Sequence, residues 1–140
     1  MLINSFFIQR YGQDKLDSFH QPRHITVILN PVACNKKGKL KYEKYAAPLF
    51  HLAGLRVSLI QTEREGQAKD LMEIMDNTDA VVIAGGNGTV HEAVTGLLRR
   101  SDQEIVSQKL PIGLIPIGKR NTIFKRFNQQ DDGLEVKYVY

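Results

Sequence analysis

Residues 80–89 read Ala-Val-Val-Ile-Ala-Gly-Gly-Asn-Gly-Thr. The first five form an unbroken apolar run, which suits a central strand of a parallel sheet covered on both faces. The run breaks directly into glycines, and Val90, Ala93, Val94, Leu97 and Leu98 follow at helical spacing. A strand that passes through glycines into a helix has one obvious chemical use. Glycines let a phosphate oxygen approach the backbone, and the helix start offers N–H groups and a partial positive charge. The competing reading is a plain turn capped by Thr89, with Glu92 at the capping-box spacing.

Three further apolar runs flank this unit. Ile25–Leu29 ends at Asn30-Pro31, Val57–Ile60 ends near Thr62-Glu63, and Ile112–Ile117 ends at Gly118. Residues 31–41 read as a loop. Tyr42, Tyr45, Ala46, Leu49 and Leu52 then recur at helical spacing, with a kink or late start expected at Pro48 and a stop at Gly54. Ala68, Leu71, Met72 and Met75 mark a second amphipathic helix. The order is β-loop-α-β-α-β-α-β, which predicts an α/β fold with a doubly wound, mainly parallel sheet. Residues 23–127 are expected to form the domain, with an arm at 1–22 and a tail at 128–140.

The 140 residues suit one domain, and 42% hydrophobic with 24% charged residues is ordinary for a globular chain. No apolar stretch reaches the length of a transmembrane helix. One cysteine excludes a disulfide framework, and the four histidines lack zinc-ligand spacing. A net charge of +4 favours anionic ligands. No nucleic-acid recognition motif accompanies it, so a nucleic-acid partner is not expected.

Ligands of open α/β sheets bind beyond the carboxyl ends of the strands. Asn30-Pro31, Thr62, Gly85–Thr89 and Gly118–Asn121 all fall there. Lys36, Lys37, Lys39 and Lys41 are either phosphate contacts or a solvated loop. Cys34 has no identifiable activating base and is read as an unreactive thiol. His91 is either an acid–base group or a solvated side chain. Tyr42, Tyr45, Met72 and Met75 are read as core.

Together these motifs resemble the diacylglycerol-kinase-type lipid kinases, which include sphingosine, ceramide and bacterial lipid kinases. The resemblance runs from Asn30-Pro31 through Thr62 and Gly-Gly-x-Gly-Thr to Pro116-x-Gly118-x-x-Asn121, covering about residues 24–118. Within the family it extends to the acylglycerol kinases of mitochondria. It rests there on Asn30–Cys34, Ala46–Pro48, Glu65–Lys69, Asn77–Asp79 and the stretch from Glu92 to Arg100.

The resemblance implies transfer of the ATP γ-phosphate to an acylglycerol hydroxyl, with Mg²⁺. It also implies mitochondrial membrane association and contact with the inner-membrane import machinery. It places Asn30, Pro31, Thr62, Gly85, Gly86, Gly88, Thr89, Glu92, Gly118 and Asn121 at or near the nucleotide, and Asn87 at the catalytic position. Two departures stand out. The family has aspartate where Asn87 stands, and an amide is a poor base and a weak Mg²⁺ ligand. Lys119 and Arg120 replace the small residue usual after Gly118. The family's second, β-sandwich domain is not expected in the residues after 118. The expectation is therefore an isolated nucleotide-binding lobe, either an impaired kinase or a pseudokinase that binds nucleotide or protein.

Overall fold

The computed structural model describes residues 23–129. The arm at 1–22 and all of the tail beyond residue 129 lie outside the described residues. Among the described residues four strands form one sheet: β1 (His24–Leu29), β2 (Arg56–Gln61), β3 (Ala80–Gly85) and β4 (Ile112–Pro116). All pairings are parallel, in the order β2-β1-β3-β4. The predicted strands and their parallel, doubly wound arrangement are what the chain forms.

The apolar runs explain both sheet faces. Side chains alternate across a strand, so β1, β3 and β4 each feed two cores, while the edge strand β2 adds only Val57 to the first. On one face Val27 and Leu29 pack with Tyr42, Ala46 and Ile117. On the other, Ile28, Val81 and Ile83 pack with Ala68, Met72, Ala93 and Leu97. Ile28, Leu29, Met72 and Ile83 are fully buried, each contributing about 1.5–3 kcal/mol of hydrophobic stabilisation.

The first face is covered by α1 (Gly38–Tyr45) and α2 (Ala47–Leu52), the second by α3 (Gln67–Ile74), α4 (Asn87–Leu98) and α5 (Gln103–Lys109). A last helix, α6 (Thr122–Gln129), follows β4. Helices α3 and α4 cross at Gly96, where a Cβ would stand 2.2 Å from the Lys69 carbonyl oxygen. Only glycine permits that approach.

Three expectations change, and the interruption expected at Pro48 is present. The loop at 31–41 is shorter than expected, because α1 already begins at Gly38. The first helical stretch breaks at Ala46, and Pro48 occupies the first turn of α2, where its missing N–H costs nothing. The break shifts the helical phase. Phe50 therefore packs toward Tyr42, with ring centres 6.4 Å apart, while Leu52 and Tyr45 are exposed and Tyr45 is not core. Helices α5 and α6 were not expected.

Candidate functional site

Helices after β1 and β3 lie on opposite faces, so the carboxyl ends of these two neighbouring strands diverge into a crevice. An open groove of about 780 Å³ lies there. Three strand ends supply its walls: Asn30 with Val32–Lys36 after β1, Gly86–Thr89 after β3, and Gly118–Arg120 after β4.

Asn30 organises the first wall. Its side-chain oxygen accepts the Val32 N–H at 3.1 Å, turning the chain. Its amide nitrogen donates to the Thr89 hydroxyl at 3.0 Å, tying the first wall to the second. The chain then passes through three successive left-handed residues, Cys34, Asn35 and Lys36. Side chains disfavour that conformation by roughly 1–2 kcal/mol each. Backbone bonds from Lys36 to Val32 and from Lys37 to Ala33 hold the turn. It leaves Cys34 and Lys36 on the groove wall.

The second and third walls are joined backbone to backbone. A Cβ on Gly118 would stand 2.3 Å from the Gly86 Cα. The Gly118 N–H donates to the Gly85 carbonyl, and the Asn87 N–H donates to the Arg120 carbonyl, both at 3.2 Å. Asn121 braces the turn: its amide nitrogen donates to the Gly118 carbonyl at 2.8 Å, and its oxygen lies 3.2 Å from the Gly118 nitrogen. Asn121 thus shapes the wall without lining the groove.

Gly86 is the residue before the first turn of α4, so Thr89 is not the helix cap. Thr89 is buried under Gly85 instead, where a Cβ would meet it at 2.7 Å. The first-turn N–H groups of Gly88 and Thr89 have no partner within the helix. A Cβ on Gly88 would meet nothing within 4 Å, so that backbone faces open space.

Asn87 lines the groove, yet its amide is engaged elsewhere. It donates to the Thr122 hydroxyl at 2.5 Å and accepts the Ile123 N–H at 3.4 Å. It therefore caps α6 from another segment of the chain. Nothing marked Thr122 in advance, although Asn121-Thr122 before Ile123, Phe124 and Phe127 is a helix-start pattern.

The groove gathers Asn30, Gly86, Asn87, Gly88, Thr89 and Gly118 of the expected residues. Pro31, Thr62, Gly85, Glu92 and Asn121 do not line it. Thr62 sits past the edge strand β2, where its N–H donates to the Leu29 carbonyl at 2.8 Å. The β2–α3 turn is bonded to itself. Glu63 N–H meets the Gln67 side chain at 2.6 Å, and Arg64 holds the Asp70 carboxyl below its ordinary range. Of the four loop lysines only Lys36 lines the groove. Lys39 pairs with Glu43 at 3.8 Å, and Lys41 donates to the Cys34 sulfur at 3.1 Å. His91 is exposed.

Among the described residues the lining holds three cations, Lys36, Lys119 and Arg120, and no carboxylate. None of the three joins an ion pair among the described residues. Mg²⁺ prefers octahedral oxygen ligands, usually with one or two carboxylates. This donor set does not fit it. Among the described residues no cluster of three His, Cys, Asp or Glu residues offers a metal site elsewhere.

Residues 24–137 match the family described as the diacylglycerol kinase catalytic domain. The chain belongs to that family. Among the curated relatives of this diacylglycerol kinase domain, human "Acylglycerol kinase, mitochondrial" is 46% identical over 115 residues, which are 82% of this chain and 27% of the relative. Human ceramide kinase is 36% identical over 123 residues, 79% of this chain and 22% of the relative. The chain thus spans about a quarter of the length of the curated relatives it matches. A crystal structure described as a diacylglycerol kinase from Bacillus anthracis str. Sterne superposes with a TM-score of 0.59 at 22% identity. That match covers 76% of this chain and 34% of the other, and it shows the shared fold.

Proposed function

We propose that this domain is the nucleotide-binding part of an acylglycerol-type lipid kinase. The observation that carries the reading is the groove itself. It joins the glycine loop, the start of α4 and three cations at the β1/β3 crevice, in a chain 46% identical to a mitochondrial acylglycerol kinase. Phosphoryl transfer depends mostly on positioning and charge stabilisation. Here the Gly88 and Thr89 N–H groups would meet phosphate oxygens, and Lys36, Lys119 and Arg120 would neutralise them. Asn30, Gly86, Gly118 and Asn121 would hold the walls in register. Pro31, Thr62, Gly85 and Glu92 would support the rim from outside the lining.

The proposed substrates are ATP and a mono- or diacylglycerol, giving lysophosphatidic or phosphatidic acid. The substrate hydroxyl oxygen attacks the γ-phosphorus, the bond to the β-phosphate oxygen breaks, and the hydroxyl proton is released. Mg²⁺ would accompany ATP in the family, but the lining described above supplies no carboxylate for it. A mitochondrial location is proposed from the name of the acylglycerol kinase relatives, and membrane association with contact to the inner-membrane import machinery is proposed from the family resemblance. No helix among the described residues is long and apolar enough to cross a membrane.

The chain alone is expected to transfer phosphate poorly. A missing general base typically costs about 10²–10⁴-fold, and Asn87 offers no base. Its engagement with Thr122 and Ile123 favours a second reading for the isolated chain, a pseudokinase module that binds nucleotide or protein. Labelled ATP and acylglycerol micelles separate the two. Label appearing in phosphatidic or lysophosphatidic acid supports the kinase. ATP binding without transfer supports the module, and no ATP binding removes both nucleotide readings.

A further inference from the structure

We infer that the groove takes the phosphate chain of its ligand without a divalent cation, with Lys36, Lys119 and Arg120 supplying the positive charge. The inference deepens the nucleotide reading above and rests on it for the identity of the ligand.

Two observations carry it. The first is the accounting of oxygens. Mg²⁺ prefers oxygen ligands, and the polar side chains of the lining are three amides, one hydroxyl, one thiol, two ammonium groups and a guanidinium. Of the three amides, Asn30, Asn35 and Asn87, two have oxygens that each already accept one hydrogen bond. That of Asn30 accepts the Val32 N–H, and that of Asn87 accepts the Ile123 N–H. The Thr89 hydroxyl oxygen receives the Asn30 amide. What remains open is mostly donors: the Gly88 and Thr89 N–H groups and the three cations.

The second observation is the charge. Lys36, Lys119 and Arg120 are all exposed at the groove and have no ion-pair partner among the described residues. Their combined field repels a free divalent cation and attracts a bare phosphate chain. Mg²⁺ bound to a triphosphate cancels two of its negative charges. The metal-bound ligand therefore gains less from this groove than the metal-free one. In a site built for the metal complex, carboxylates would reverse that order.

The test is calorimetric titration of the 140-residue chain with ATP in EDTA, ATP in excess Mg²⁺, and inorganic tripolyphosphate in EDTA. ATP is expected to bind in EDTA and about tenfold more weakly with Mg²⁺, with the gap shrinking as salt is raised. Lys119→Gln with Arg120→Gln should abolish the gap, while Arg120→Lys keeps it, and circular dichroism checks that each variant folds. Equal or tighter binding with Mg²⁺ overturns the inference. If only the Mg²⁺ complex binds, the inference falls and the nucleotide reading stands. If tripolyphosphate binds in EDTA as tightly as ATP, the metal-free phosphate site stands and recognition of the nucleoside falls. If nothing binds under any condition, both fall.

Discussion

The two rims of the one sheet are built on opposite principles. At the amino ends of the strands, polar groups close on one another. The His24 N–H donates to the Asp79 carboxylate at 2.7 Å, and its ring nitrogens lie 2.9 Å from the Asn77 carbonyl and 2.7 Å from the Ser58 hydroxyl. The buried Thr26 hydroxyl donates to Thr78 at 3.1 Å, and the Thr78 hydroxyl lies 2.9 Å from the Ala80 carbonyl. At the carboxyl ends, backbone meets backbone through Gly86 and Gly118, and three cations stand without ion-pair partners among the described residues. The first rim is finished by its own residues. The second is complementary to something anionic. Satisfied polar groups stabilise a fold, whereas a concentration of donors left open at a topological switch point is what binding requires.

Substitutions can break this contrast. Gly118→Ala should cost the most, about 2–3 kcal/mol, because the new methyl meets the Gly86 Cα and the walls must part. Urea denaturation reads the loss, and an unchanged midpoint would mean that the two loops do not touch in solution. Thr78→Val comes next. It leaves the Thr26 hydroxyl without an acceptor and should cost about 1–2 kcal/mol with nucleotide affinity unchanged. An altered affinity would show that the rims are not independent. Gly88→Ala should do the converse. It gains up to about 1 kcal/mol of helix stability, since nothing lies within 4 Å of the new carbon, while blocking close approach of phosphate and weakening ATP binding. Unchanged affinity would move the ligand away from that backbone.

The smallest effect belongs to a polar pair outside both rims. Arg100, hydrogen-bonded to Asp102, holds that carboxyl below its ordinary value of 3.8. A depressed carboxylate stabilises the fold above the unfolded pKa, and the contribution is lost as pH falls through the lowered value. Asp102→Asn should therefore lower the thermal midpoint slightly at pH 6, with the difference shrinking as pH falls below the ordinary carboxylate value. A difference that grows on acidification would contradict the pairing.

Much of this was legible in the residues. The β-branched runs announced four strands, and their position between helical stripes announced a parallel sheet. The glycine loop and the motif around Gly118 pointed to one rim. What escaped reading has physical reasons. Thr62 lies at a strand end like the others, but strand order puts it outside the crevice, and order is a long-range property. The break at Ala46 shifted the phase of the helical stripe, so Phe50 was overlooked and Tyr45 misassigned. Helix α5 has only seven residues and a weak stripe, with Ile105 exposed and Val106 packed. The left-handed turn at Cys34–Lys36 has no glycine to signal it. The role of Asn87 as the cap of α6 depends on a partner 35 residues away.

One tie near the end of α4 has a mechanical consequence. The Arg100 guanidinium donates to the Met72, Glu73 and Met75 carbonyls at 3.2, 3.2 and 2.9 Å, fastening the corner beyond α4 to the last turn of α3. Between that anchor and the glycine loop runs a twelve-residue helix, a rod of about 18 Å. Its loop end is seated on the third wall through Asn87 and Arg120. A rod pinned at both ends cannot tilt at one without loading the other. Force applied by a ligand at Gly88 would therefore be felt at Arg100, beyond the other end of that helix.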